Sequence, residues 1–289
     1  MMGAEESVVE QGANYTRIMF GACFSIVFLF LINAIFRGAG DATIAMRALW
    51  LANGINIVLD PCFIYGLGPF PELGVTGAAV ATNTGRSIGV LYGLYHLIKG
   101  DGRLQMHLTN LRLRLDVAWS LFRISAGGMA QFLVSTTSWV FLLQIVSSFG
   151  SSAVAGYTIA VRVVMFSILP AWGLSNAAAT LVGQNLRAGL PDRAETTTWK
   201  IAKYNSMYMA LALALMLLFT QPIIALFSQE AEVLAYAAQC LCIFAYGFIF
   251  WGFGMAIIQA FNGAGDTMTS TYINIFCFWI VQVPLAYSL

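Results

Sequence analysis

Eight stretches of this chain are apolar for about twenty residues or more, the length an α-helix needs to cross a bilayer. They lie at roughly 13–36, 45–66, 74–98, 117–148, 152–183, 198–227, 232–261 and 268–288. Little is left between them. Hydrophobic residues make up 59% of the chain and charged residues 9%, against about 25% charged in a soluble domain. So little polar surface cannot wrap a water-soluble globule. The expected fold is an all-α membrane protein, a polytopic helical bundle of about eight transmembrane helices. The net charge of +1 supplies no field for nucleic acid. Cys23, Cys62, Cys240, Cys242 and Cys277 form no CxxC pair, and the two histidines, His96 and His107, lie in or beside one polar stretch. Neither a disulfide framework nor a zinc site is expected. No nucleophile–base pair or HExxH helix is present, so the chain does not read as an enzyme.

Lysine and arginine orient the bundle. One set of loops and span ends holds Arg37, Arg47, Lys99, Arg103, Arg112, Arg114, Arg123, Arg187, Arg193, Lys200 and Lys203. The alternate set, at 1–12, 67–73, 149–151 and 228–231, holds no Lys or Arg but carries Glu5, Glu6, Glu10, Glu72 and Glu230. The first set is therefore cytoplasmic. The amino terminus then falls outside, is acidic and shows no signal peptide, so the sequence is expected to be a piece of something longer.

An internal repeat points the same way. Residues 3–46 align without a gap on 228–271, so that Glu5 meets Glu230, Ile18 meets Ile243, Phe28 meets Phe253, and "FRGAGD" at 36–41 meets "FNGAGD" at 261–266. A parallel repeat about an axis along the membrane normal is a known transporter construction. Completing both copies would require roughly 110 residues before the first and roughly 35 after the last. The result would be twelve spans in two pseudo-symmetric lobes of six. On that reading residues 1–98 are an incomplete N-lobe of three spans, 99–116 a cytoplasmic linker, and 117–289 a C-lobe of five spans lacking its last. In each tetrad, Gly38 and Gly40, or Gly263 and Gly265, are expected to end one helix at positive φ, with Asp41 or Asp266 capping the next. A nucleotide-binding glycine loop would need a preceding strand, which the pattern does not offer.

The chemistry-bearing candidate is Asp60. It stands about fourteen residues into its span, roughly 20 Å from the cytoplasmic end, in the outer half of the bilayer. An ionisable group at such depth is a functional candidate by default. Asn53, Asn56 and Asp60 fall at i, i+3 and i+7 on one stripe, and Thr82, Asn83 and Arg86 lie at a similar depth in the next, antiparallel span. A carboxylate, an amide and a hydroxyl are hard oxygen ligands suited to Na⁺, and a desolvated carboxylate could carry a proton instead. Pro61 removes a backbone donor and can kink the helix, freeing a carbonyl. The structural alternatives are that Asp60 pairs with Arg86 or caps a break at Pro61. In the second half, Gln131, Ser135, Tyr157, Gln239 and Tyr246 could line a cavity, and so could Ser138 and Gln259; helix–helix hydrogen bonds are an equal alternative for each.

Several motifs resemble one family. "FRGAGDATIAM", "NGINIVLDPCFIYGLGPFPELGVTGAAVAT", "AVAGYTIAVRVVMFSILPAWGLSNAAATLVGQNLRAG", "FNGAGDTMTSTY" and "VPLAYSL" are similar, in order and along essentially the whole chain, to the multidrug and toxic compound extrusion (MATE) transporters. Arg187 stands where the family often has glycine. The resemblance implies that residues 13–98 correspond to the family's fourth to sixth helices and 117–288 to its seventh to eleventh. It implies a multi-pass, monomeric protein of the prokaryotic inner membrane that exports organic cations or amphipathic drugs by antiport with H⁺ or Na⁺ and uses no other cofactor. It also carries a cation site over to Asn56, Asp60 and Thr82, with Asn53, Asn83 and Arg86 as neighbours and no metal beyond Na⁺ at Asp60. Another branch of the family places acidic residues in the seventh and tenth helices. The matching spans here have none beyond their ends, which argues against a second-lobe cation site. The alternatives are a lipid-linked saccharide flippase of related two-lobe design, disfavoured because the in-span cations are only Arg17, Arg86 and Arg162, or an inactive fragment.

Overall fold

The computed structural model describes residues 6–99, 104, 106 and 114–288, and every regular element among them is helical. The chain divides into two compact units, Met1–Arg112 and Leu113–Leu289. Most of the stretch expected to link lobes, 99–116, lies outside the described residues, including Arg103, His107 and Arg112; so does Glu5.

The first unit holds α1 (Glu6–Gly21), α2 (Cys23–Gly38), α3 (Ala42–Tyr65) and α4 (Val75–Lys99). Two of its spans depart from expectation. The first is not one rod: α1 and α2 meet at Ala22 with a bend of 45°. The third, α4, has the 25 residues of a span but is not apolar enough to count as one by composition, because Thr76, Thr82, Asn83, Thr84, Arg86 and Ser87 dilute it. Its surroundings explain how it survives, since α4 packs against α1, α2 and α3 and faces protein where a peripheral helix would face lipid. Small residues let it lie close. A Cβ at Gly85 would come 2.5 Å from the Ala52 carbonyl oxygen, and one at Gly77 would strike the Phe63 carbonyl, so α3 and α4 touch backbone to backbone.

The repeated tetrads fold alike. Gly40 has φ +84° and Gly265 φ +86°. Asp41 N–H reaches the Phe36 carbonyl at 2.9 Å and Gly40 N–H the Arg37 carbonyl at 3.0 Å; Asp266 to Phe261 and Gly265 to Asn262 repeat the pair at 3.0 and 3.1 Å. Both are Schellman closures, which need a left-handed residue after the helix. Gly38 and Gly263 are not that residue; both lie inside helices. The two aspartates also differ. Asp266 Oδ1 accepts from Thr269 N–H at 3.1 Å and Oδ2 from the Thr269 hydroxyl at 2.7 Å, whereas Asp41 makes no side-chain cap. Three residues after Asp41 stands Ile44, which has no hydroxyl to hold a carboxylate in place.

The second unit holds α5 (Leu115–Ser147), α6 (Ser151–Arg187), α7 (Pro191–Leu218), α8 (Thr220–Ala225), α9 (Ala231–Ala264), α10 (Thr267–Asn274), a π-helical segment (Ile275–Gln282) and α11 (Val283–Ser288). The expected span 198–227 thus forms as α7 and the short α8. The core lies where α6, α7 and α9 meet, with Ala160, Val164, Met209, Leu241, Ala245 and Phe248 buried. Asn205 pins the trio: its Nδ2 donates to Ser175 Oγ at 3.0 Å and to the Gly252 carbonyl at 2.7 Å. Large apolar side chains elsewhere point outward, Trp50 at 76% and Phe250 at 80% exposed, which is the surface a lipid-embedded chain requires.

Candidate functional site

Three of the expected site residues meet inside the first unit. Asn56 Nδ2 donates to Asp60 Oδ1 at 3.1 Å and to Thr82 Oγ1 at 3.3 Å, and all three side chains are half-buried. The geometry follows from the two helices. Asp60 lies five residues before the end of α3, about 7–8 Å from it, and Thr82 seven residues after the start of α4, about 10 Å from that end. Antiparallel neighbours joined at those ends therefore hold both groups at one level. The helical i, i+4 spacing puts the Asn56 amide over the Asp60 carboxylate. Pro61 has no N–H, so the Ile57 carbonyl lacks its usual donor, yet α3 continues unbroken to Tyr65.

Among the described residues no cation pairs with Asp60. The sole ion pair among them joins Arg114 and Asp116 at 2.7 Å, on the exposed start of α5. Arg86, half-buried one turn beyond Thr82, makes none. Asn53 is exposed and takes no part in the cluster. Asn83 is buried but turned away: its Nδ2 donates to the Ala79 carbonyl at 3.0 Å and to the Ile18 carbonyl at 3.4 Å, and its Oδ1 accepts from Ser25 Oγ at 3.2 Å. It is no neighbour of the carboxylate.

In the second unit the expected cavity-lining residues separate into two kinds. Gln131 is buried and spends its amide on Asn262 Oδ1 and the Thr267 carbonyl, both at 3.0 Å. Asn262 Nδ2 continues to Gln259 Oε1 at 3.1 Å, and Gln259 Nε2 to Asn176 Oδ1 at 3.0 Å, so four amides run in a chain across α5, α9 and α6. Ser135 donates back to the Gln131 carbonyl at 3.0 Å. Tyr157 is half-buried with its ring 6.0 Å from Phe244, while Gln239 and Tyr246 are exposed. Sequence reasoning missed Asn176, Asn262 and Ser25. Their one signal is a lone amide or hydroxyl within an apolar run.

The MatE family model matches residues 1–62 and 128–288, well over half of the chain. The chain belongs to the MatE family. The match includes Asn56 and Asp60 and omits the helix that carries Thr82. Among curated MatE relatives, the chain is similar to a probable multidrug resistance protein, YoeA, of Bacillus subtilis, with 28% identity over 292 residues, 100% of this chain and 63% of the relative. It is likewise similar to an FAD transporter of Shewanella oneidensis, with 27% identity over 289 residues, 99% of this chain and 63% of the relative. The outward-facing structure of a multidrug resistance MATE family transporter of the MOP superfamily superposes with a TM-score of 0.90 at 30% identity, covering 99% of this chain and 63% of that one. The chain thus spans a little under two thirds of the length of these MatE relatives. It is a multi-pass membrane protein whose similarity to bacterial MatE proteins places it in a prokaryotic inner membrane.

Proposed function

We propose that this chain serves secondary active efflux of cationic or amphipathic drugs or metabolites by antiport with H⁺ or Na⁺, with Asp60 as the coupling carboxylate and Asn56 and Thr82 as its partners. The observation that carries the reading is the half-buried Asp60, held by an amide and joined through it to a hydroxyl, with no ion pair. A carboxylate within the hydrocarbon layer is costly unless water or a counter-ion reaches it. Neutralisation by a proton or by Na⁺ relieves that cost, and release restores it, so occupancy of the site can be exchanged for occupancy by a drug. In this reading the two units belong to two lobes of one monomeric transporter and no further cofactor takes part. The multidrug and FAD-transporting relatives support a substrate assay that includes both organic cations and a flavin dinucleotide.

The test is Asp60→Asn in the full-length protein, assayed in proteoliposomes for drug-dependent proton flux and, separately, sodium flux. The expected result is loss of coupled flux at unchanged expression. Undiminished coupled flux, or undiminished drug resistance in cells carrying the variant, overturns the assignment.

A further inference from the structure

No proline lies in α1 or α2, and Gly21, the last residue of α1 and a poor helix former, directly precedes the bend at Ala22. The internal repeat supplies a control. A shift of 225 residues puts Ala22 on Gly247, a poorer helix former, yet α9 runs through Gly247 without interruption. Gly21, matched by Tyr246, is one difference between the copies; a polar clamp is another. Ser25, whose counterpart is Phe250, is buried with its hydroxyl 2.8 Å from the Ala22 carbonyl and 3.2 Å from Asn83 Oδ1. Asn83 in turn donates to the Ile18 carbonyl on the far side of the break. A side chain inserted among the carbonyls of a helix is a recognised cause of a kink. The single Ser25 proton can serve one of its two acceptors well at a time, so the clamp has two arrangements.

Asn83 is also the residue next to Thr82. Consecutive helix positions point about 100° apart, so α4 turns Thr82 toward Asn56 and Asp60 and Asn83 toward the break. α3 and α4 are in backbone contact. We propose that Asn83 is a positioning residue that ties the state of the Asp60 cluster to the bend between α1 and α2. The proposal rests on the reading of Asp60 given above. Coordination of Na⁺ requires the Asn56 amide to present Oδ1 in place of Nδ2, which breaks its bonds to Asp60 and Thr82 together. α4 then shifts at Thr82, the Asn83 amide leaves the Ile18 carbonyl, and the Ser25 hydroxyl returns to Ala22. The surrounding elements carry Glu6, Glu10 and Arg17 on α1, Arg37 on α2, Arg47 on α3, Arg86, His96 and Lys99 on α4, and Glu72 in the external loop. No cation among them pairs with Asp60.

The experiment places nitroxide labels at Asn14 and Ile35, both exposed, in the full-length protein freed of its cysteines, among them the five of this chain. Double electron–electron resonance reads their separation, which straightening a 45° bend would lengthen by about 2 Å. Infrared spectroscopy of the carboxyl band, compared with Asp60→Asn, independently reports whether Asp60 binds Na⁺ or a proton. The expected result is a separation that changes with Na⁺ in the parent, is fixed in Asp60→Asn, and is fixed in Asn83→Ala and Ser25→Ala although the carboxyl band still responds. Ser25→Thr, which keeps the hydroxyl, restores the response. If the carboxyl band responds and Asn83→Ala and Ser25→Ala still change separation like the parent, or the parent never changes, the coupling is refuted. A parent whose carboxyl band is silent refutes the reading of Asp60 itself.

Discussion

Gly85 offers the sharpest check on how the candidate site is held. Its hypothetical Cβ would lie 2.5 Å from the Ala52 carbonyl oxygen and 3.4 Å from both Cβ and N of Asn56. Backbone cannot yield as a flexible side chain does, so Gly85→Ala must part α3 from α4 by about 1 Å to reach ordinary contact. The Asn56–Thr82 bond, already 3.3 Å, would then exceed 4 Å if the helices part along it, and a hydrogen bond does not survive that length. Overpacking of this kind costs about 1–3 kcal/mol, offset by up to about 1 kcal/mol of helix propensity gained on replacing glycine. Gly54→Ala is the matched control, since a Cβ there meets nothing within 4 Å and should receive the propensity gain alone. Equilibrium unfolding in mixed detergent gives the stability difference between the variants, and the carboxyl infrared band gives the state of Asp60. Gly85→Ala should be the less stable of the two and show an altered Asp60 band. Equal stability with an unchanged band would mean that α3 and α4 are not in backbone contact and that the Asn56–Thr82 bond does not depend on their approach.

In a cysteine-free background, Gln229→Cys should label with an impermeant maleimide from outside intact cells and Arg187→Cys should not; the reverse pattern would invert the topology. The Thr269 hydroxyl and backbone N–H hold the Asp266 carboxyl below its ordinary pKa of 3.8. Because the folded value is the lower one, the cap stabilises the fold in full above the unfolded pKa, and that contribution is lost as pH falls from there through the folded value. Stability measured from pH 6 to about pH 3 should therefore fall more steeply in the parent than in Asp266→Ala, and parallel curves would show that the cap does not act.

How far the sequence could be read depended on whether a residue's role is set by its own helix or by another. The turns at Gly40 and Gly265 were legible because a Schellman closure is local. The Asn56–Asp60 stripe was legible because i and i+4 meet on any helix, and Thr82 followed from the shortness of one loop. Asn83 was visible as a polar residue, but its direction was not, since one position along a helix changes the neighbour it faces. The bend at Ala22 had Gly21 as its one local trace; the Asn83 amide that reaches across it comes from about sixty residues away in α4. Glycine content alone would have marked Gly247 as readily as Gly21, and α9 does not break there. The Asn176–Gln259–Asn262–Gln131 chain was hidden for a similar reason, since which amides pair depends on the register of three helices. The low apolarity of α4 became intelligible only once three helices were seen around it.

The polar clusters at Asp60 and at Gln131 are satisfied to different degrees, and the contrast bears on where an ion could act. In the second unit each amide of the four-residue chain donates to or accepts from the next, and the network also takes in a backbone carbonyl. A network satisfied in this way gains little from an ion, because every ligand bond formed would replace a hydrogen bond broken. In the first unit Asp60 accepts one amide bond and no ion pair, so a proton or Na⁺ would gain the full neutralisation of a charge held in a poorly solvating medium. The free energy for coupling, under the reading proposed here, is therefore concentrated in the unit whose polar cluster is left incomplete. The amide chain of the other unit holds its helices in register.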